Sequence, residues 1–254
     1  MKLRMCGAVL LCITVLVGAV ACSSGVSKAP NGMTANEILA MSQNASTSMN
    51  TLQGYVTDNA SVMGEEMNAS FSISADIPSR RLHRLYMPTG DGEAYILNNW
   101  VYIYSPTEAK WVETPLTEYI WSEEYSIDQQ LAVLSNFTDA KYIGTELVQG
   151  VDCYKISVHP STSAILDMFN MSEVGIGPSD INVENCAYTA WINESTYYPV
   201  QTSLNVILEM ENVTLLDNRV CTISNINQPV NIVLPAEAQN ATTLTNAQFE
   251  SGNW

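Results

Sequence analysis

The chain has 254 residues, and its 46% hydrophobic content can fill one large β-rich core or two small ones. Only 14% of residues are charged and the net charge is −16, a surface that repels polyanions and argues against nucleic acid or anionic head groups as partners. Two distant histidines, His83 and His159, no zinc-spaced His/Cys cluster, no phosphate loop and no nucleophile elbow leave no metal, no cofactor and no enzyme to expect.

Residues 1–22 read as a lipoprotein signal peptide. Lys2 and Arg4 precede an apolar run from Met5 to Ala21, and Ala19-Val20-Ala21-Cys22 followed by Ser23-Ser24-Gly25 has the form of a lipobox. The chemistry expected there is thioether lipidation of Cys22, with cleavage just before it. An ordinary signal peptide or an uncleaved N-terminal anchor is the alternative. In each case the bulk of the chain is extracytoplasmic. A lipid on Cys22 tethers it to the outer face of the cytoplasmic membrane.

Residues 23–33 form a Ser/Gly/Pro linker, and a domain is expected over 34–235. Thr34-Ala35-Asn36-Glu37 is a capping box opening a helix, with Ile38, Met41, Ala45, Met49 and Leu52 on one face and Gly54 at its end. A hairpin over 55–63 and 66–77 follows. Its second arm alternates Met67, Ala69, Phe71, Ile73, Ala75 and Ile77 with polar residues, so one face is buried. Residues 80–87 are a strand carrying Arg80, Arg81, His83 and Arg84. Such a cluster either docks an anion or pairs with carboxylates on the sheet surface, and the second reading is favoured.

Strands are expected next at 94–97, 100–104 and 110–113, with Tyr95, Trp100, Tyr102, Tyr104 and Trp111 in cross-strand packing. Residues 114–135 turn helical, with Pro115 at a first helical position and a second capping box at Ser126-Ile127-Asp128-Gln129. Strands return at 141–148 and 151–158, then a short helix at 162–171. Further strands are expected at 181–192, 200–210, 213–226 and 229–234. Residues 236–254 form a polar C-terminal tail expected to fray. The fold class is α+β: one curved antiparallel sheet of about nine or ten strands, with helices on its concave face.

Beyond Cys6, Cys12 and Cys22, the chain holds Cys153, Cys186 and Cys221. If Val158 faces Ile181 across an antiparallel ladder, Cys153 falls opposite Cys186, and an extracytoplasmic location permits a disulfide between them. Three packed, reduced thiols are the alternative. Asn-x-Ser/Thr occurs at Asn44, Asn59, Asn68, Asn136, Asn170, Asn193, Asn212 and Asn240. All but Asn44, which falls in a helix, are glycosylation candidates. With the lipobox, the excess of sequons points to a glycosylated archaeal envelope.

Gly150-Val151-Asp152-Cys153-Tyr154-Lys155-Ile156-Ser157-Val158 and Ala190-Trp191-Ile192-Asn193-Glu194-Ser195-Thr196-Tyr197-Tyr198-Pro199-Val200-Gln201 carry a resemblance. Through Gly150, Tyr154, Trp191, Ile192, Thr196, Pro199 and Val200 the chain resembles the lipoprotein-carrier superfamily of LolA, LolB and the LppX/LprG envelope lipoproteins. The resemblance spans residues 34–235. It implies a half-barrel sheet whose helices plug a hydrophobic ligand cavity, with the 114–135 insertion as plug or lid. Phe71, Ile73, Leu97, Leu204 and Val206 are the expected lining, and a lipid or other hydrophobic molecule is the expected partner. The competing expectation is a solidly packed surface protein of structural, adhesive or accessory role.

Overall fold

The computed structural model describes residues 27–87, 92–106, 108–169, 171, 176–211 and 213–251. Cys22, Asn170 and Asn212 lie outside the described residues. Helix α1 (Ala35–Ser46) leads into an antiparallel meander of β1 (Thr51–Val62), β2 (Glu65–Asp76), β3 (Arg81–Met87), β4 (Glu93–Leu97), β5 (Trp100–Ser105) and β6 (Lys110–Pro115). Helices α2 (Glu118–Glu124) and α3 (Ser126–Ala132) and a 3-10 turn at Val133–Ser135 follow. The second meander is β7 (Phe137–Val148), β8 (Val151–Pro160), helix α4 (Thr162–Met168), β9 (Asn182–Asn193), β10 (Pro199–Met210) and β11 (Val213–Ser224). Short β12 (Thr242–Thr243) and helix α5 (Asn246–Glu250) end the described chain.

Two-residue turns set the hairpins. Met63-Gly64, Asn98-Asn99 and Gln149-Gly150 all sit at positive φ, the conformation whose twist matches the flanking strands. Strand β11 then pairs antiparallel with β1, with Asp58 opposite Arg219 and Ala60 opposite Asp217. That one pairing fuses the two meanders into an open 12-stranded sheet of order β12-β6-β5-β4-β3-β2-β1-β11-β10-β9-β8-β7. All pairs are antiparallel except β12 on β6.

The helices lie against one face of this sheet. Ile38 and Leu39 of α1, Val133 and Leu134, and Ile165 and Leu166 of α4 pack with Tyr154, Ile156, Tyr188, Leu204 and Val206. Ile127 of α3 and Ile120 of α2 pack with Leu52, Val56, Phe71, Ile73 and Ile223. Tyr188 Oη donates to the Gln130 carbonyl at 2.7 Å, and Thr202 Oγ1 donates to Gln130 Oε1 at 3.3 Å, so α3 is also pinned by polar contacts. At Gly54 the helix comes so close that a Cβ would lie 2.5 Å from Ile127 Cδ1. The opposite face carries two smaller apolar patches, one around Cys153 and Trp191, the other around Tyr95 and Leu97.

Several expectations are corrected. The first helix stops at Ser46, and Leu52 and Gly54 belong to β1, because the antiparallel ladders on both sides of Thr51 onward outweigh continued helix. The capping box at Thr34 forms, with Glu37 N–H donating to Thr34 Oγ1 at 3.3 Å and Thr34 N–H donating to Glu37 Oε2 at 2.7 Å. The second capping box is expected at Ser126, whose side chain lies outside the described residues; α3 opens with Tyr125 at the cap position, without a side-chain bond from that residue, because α2 runs almost directly into α3. Pro115 closes β6, and Thr117 caps α2. Residues 229–234 form no strand: Ile232 packs on Tyr95 and Leu97, and its carbonyl accepts from Arg81 Nη2 at 2.6 Å. The tail expected to fray supplies β12 and α5, seated on β6 by Thr114 Oγ1 donating to Asn246 Oδ1 at 3.0 Å.

The Cys153–Cys186 disulfide is also corrected. Val158 lies opposite Tyr188 and Cys153 opposite Asn193, so the register has slipped from the expected one by an odd number of residues. An odd slip exchanges faces. Cys153 packs with Trp191 and Val200 on the face away from the helices, whereas Cys186 packs against the helix-side core. A register shift between Asn185 and Val183, opposite Ile207 and Leu208, explains the misleading pattern: Ile181 and Val183 share a face with Cys186 and Tyr188 despite their parity. Cys153, Cys186 and Cys221 are free thiols.

Candidate functional site

Four of the five expected lining residues lie in the helix–sheet core, and the fifth lies apart from them. Ile73, Leu204 and Val206 are 1–3% exposed, and Phe71 is buried beside them in the helix–sheet core. Leu97 sits on the other face of the sheet, with Tyr95 and Ile232. Around those four residues the contact layer beneath α1, α3 and α4 is closely packed with side chains.

Space exists at the margins of that layer. A cleft of about 410 Å³ opens between the end of α1 and α2–α3, with Met49, Trp121, Tyr125 and Leu131 beside polar groups of Gln43, Ser46 and Asp128. A second, of about 380 Å³, lies by β7–β9 near His159 and Cys186. The third, of about 330 Å³, lies over β1, β2 and β11 and differs in kind: its walls are largely apolar and its floor is charged.

The sheet register builds this third site. Across β2, β1, β11 and β10 one row reads Ala69, Asp58, Arg219, Leu204, and the next reads Met67, Ala60, Asp217, Val206. Ala60 and Ala69 are too small to fill the space above them. Leu215 supplies one wall, Phe169 at the end of α4 another, and Met67, about half exposed, the rim. Phe169 also lies over the Arg219 guanidinium, 5.5 Å from its ring centre.

The floor holds two carboxylates and one cation. Arg219 Nη2 donates to Asp58 Oδ2 at 2.7 Å and to Asp217 Oδ2 at 2.9 Å. The Asp217 side chain is 1% exposed, that of Arg219 14% and that of Asp58 20%. The second oxygens, Asp58 Oδ1 and Asp217 Oδ1, and Arg219 Nε have no hydrogen-bond partner. Burial pushes the Asp217 carboxyl up to about 7; Arg219 pulls against this, and the neighbouring Asp58 adds to it. One guanidinium cannot fully offset two desolvated carboxylates, so the cluster carries a residual negative charge or a shared proton.

A sequence signal for this site was present and was missed. Along β11, Asp217 and Arg219 fall in the same alternating phase as Leu215, Cys221 and Ile223, and along β1 Asp58 falls in phase with Leu52 and Val56. A charge in the apolar phase of a strand is directed into the core, where it needs a reason to be.

Three of the four basic side chains pair with carboxylates, and Arg81 donates instead to the Ile232 carbonyl. Arg80 Nη1 donates to Glu118 Oε1 at 2.6 Å, His83 Nε2 meets Glu93 Oε1 at 2.8 Å, and Arg84 Nη2 meets Glu124 Oε2 at 2.9 Å. Of the sequons, Asn59, Asn68, Asn136 and Asn240 are exposed. Asn193 is half-buried, its Oδ1 accepting from the N–H groups of Ser195 and Thr196 at 2.8 and 2.9 Å. Asn59 and Asn68 face each other across β1 and β2. No helix among the described residues is long and apolar enough to cross a membrane.

No family model matches the sequence, and no curated protein matches it. Among solved structures, lipoprotein LppX from Mycobacterium tuberculosis is similar at a TM-score of 0.48 and 14% identity, over 78% of this chain and 97% of LppX. A LolA superfamily protein from Nitrosomonas europaea gives 0.30 and 10%, over 80% of this chain and 96% of that one. LprF from Mycobacterium bovis superposes at a TM-score of 0.51 and 16% identity, over 83% of this chain and 99% of LprF. The open, mostly antiparallel sheet described above is thus a fold this chain shares with LprF over nearly all of that protein's length.

Proposed function

We propose that this protein is an extracytoplasmic carrier or receptor for a lipid or other hydrophobic molecule, anchored to the membrane by a lipid on Cys22. The observation that carries the reading is the apolar-walled cleft over β1, β2 and β11, a concave site at the small end of the range that holds ligands. The superfamily resemblance of the residues around Gly150 and Trp191 supports it, and the fold shared with LprF is the scaffold that resemblance implies. The mechanism is burial: an alkyl chain set against Leu215, Phe169 and Met67 leaves water, at roughly 0.8 kcal/mol per methylene. Release needs movement of the α4 end that carries Phe169, rather than of the α2–α3 insertion, which is firmly seated on β1 and β9. Glycans on exposed sequons such as Asn59 and Asn240 belong to this proposal as surface decoration.

A second reading has a specific observation behind it. The helix–sheet layer is solid around Phe71, Ile73, Leu204 and Val206, as a structural or adhesive surface protein would have it. Native mass spectrometry separates the two. The full chain, recovered from membranes and freed of detergent in the gas phase, should carry a lipid-sized mass that is lost on denaturation. A bare mass, with no uptake of added fatty acid, alcohol or amine, would decide for the solid surface protein.

A further inference from the structure

The charged floor of the cleft defines the polar end of the ligand, an inference that rests on the hydrophobic-ligand reading. Three observations bear on it. Asp217 is 1% exposed, lines the cleft, and leaves Oδ1 without a partner. Asp58, beside it, likewise has no N–H or hydroxyl donor on Oδ1, which leaves the two carboxyls only a shared proton between them. The cluster of Asp58, Asp217 and Arg219 sums to one negative charge when both carboxylates are ionised. Buried carboxylate oxygens without donors are costly, and a fold keeps them only where something else satisfies them.

We propose that the cleft binds an amphiphile through a primary ammonium head seated on Asp58 Oδ1 and Asp217 Oδ1, with its alkyl chain against Leu215, Phe169 and Met67. The chemistry fits in three respects. An ammonium has three N–H donors and no acceptor, matching the two free oxygens. Its charge cancels the residual negative charge of the cluster, whereas a carboxylate or phosphate head would meet two aspartates ahead of one arginine already engaged by both. The volume of about 330 Å³ holds on the order of ten non-hydrogen atoms at roughly 30 Å³ each, a short alkylamine or the head and first methylenes of a longer one. Binding of the cation also removes the reason for Asp217 to hold a proton, so the head group would displace that proton as it enters.

The test compares three probes of one chain length: octylamine, octanol and octanoate. Each is titrated by calorimetry into the full chain held in lipid nanodiscs, with empty nanodiscs as the reference. Octylamine is expected to bind roughly thirtyfold or more tightly than octanoate, with octanol between them. Asp217→Asn and Asp58→Asn, which keep side-chain shape and remove charge, should each erase most of that preference while leaving octanol binding within a few-fold. Circular dichroism and thermal unfolding check that each variant is folded. If all three probes bind alike and the variants change nothing, the ammonium assignment fails while the hydrophobic-ligand reading survives. Preferential binding of octanoate would also overturn it, making Arg219 the dominant group. If no probe binds at all, both readings fall together.

Discussion

Replacing Gly54 by alanine tests whether the α2–α3 insertion is truly seated on the sheet. An ideal Cβ at Gly54 would lie 2.5 Å from Ile127 Cδ1, 2.9 Å from Ile73 Cγ2 and 3.3 Å from the Thr222 carbonyl oxygen. Ile127 is 0% exposed and Ile73 2%, so neither can swing into solvent. The Ile127 methyl is the end of its side chain and can rotate, but only into packed neighbours; Ile73 Cγ2 is fixed on a branched carbon within β2. Inserting a methyl into such a core costs about 1–3 kcal/mol. Relief of the glycine's backbone entropy offsets roughly 0.5–1 kcal/mol of that. The net expectation is a destabilisation of about 1–2 kcal/mol, read as a lower urea midpoint with unchanged slope. Trimming the opposing side chain should restore much of it: Gly54→Ala combined with Ile127→Val should show a favourable coupling of at least about 0.5 kcal/mol. An unchanged or raised midpoint in Gly54→Ala would mean that α3 does not rest on β1, and that the insertion is free to act as the lid.

The remaining expectations concern the charged floor, the first helix and the thiols. Arg219→Met leaves two buried carboxylates without a cation and should cost about 3–5 kcal/mol at neutral pH, whereas Asp217→Asn should cost much less or stabilise; equal losses in urea unfolding would contradict the cluster. Because Asp217 holds its proton to about 7 in the folded chain and gives it up near 3.8 when unfolded, the native state binds the extra proton between those values. Its contribution is therefore fully present below about 3.8 and lost as pH rises through 7; Asp217→Asn should flatten this part of the stability curve, and an identical curve would refute the assignment. Thr34→Ala removes the capping box and should cost roughly 1 kcal/mol, with faster amide exchange confined to the first turn of α1; a change spread over the sheet would show that the cap does more. Alkylation of the unfolded chain without reductant should label Cys153, Cys186 and Cys221 on separate peptides. In the native state labelling should be slow, since burial pushes the three thiols up to about 11, 11 and 12; a Cys153–Cys186 linked peptide would overturn the observed register.

The alternation of Met67 to Ile77 announced β2 and its buried face, and Thr34 with Glu37 announced where α1 begins. These are local matters: a strand's two faces and a helix's first turn are decided by neighbours in sequence. The five lining residues show the limit of such reading. Each was correctly read as apolar, yet an apolar residue in a filled core and one in a cavity have the same local pattern, and Leu97 ended on the opposite face. The charged floor was legible in principle, because Asp58, Asp217 and Arg219 stand in the apolar phase of their strands. What they do together was not, since Asp58 and Asp217 are far apart in the chain.

Taken alone, the sequence determined the acidic, weakly charged composition, most of the segments that become strands, and a first helix opened by Thr34. Only the tertiary structure decided that β11 lies beside β1, which brings Arg219 onto both aspartates and creates the cleft. Only it decided the slip of β8 against β9 that separates Cys153 from Cys186. The reason is common to both. Strand identity depends on side-chain alternation a few residues long, whereas partner and register depend on how whole faces pack, and a single shift such as that beside Asn185 reverses parity for everything beyond it.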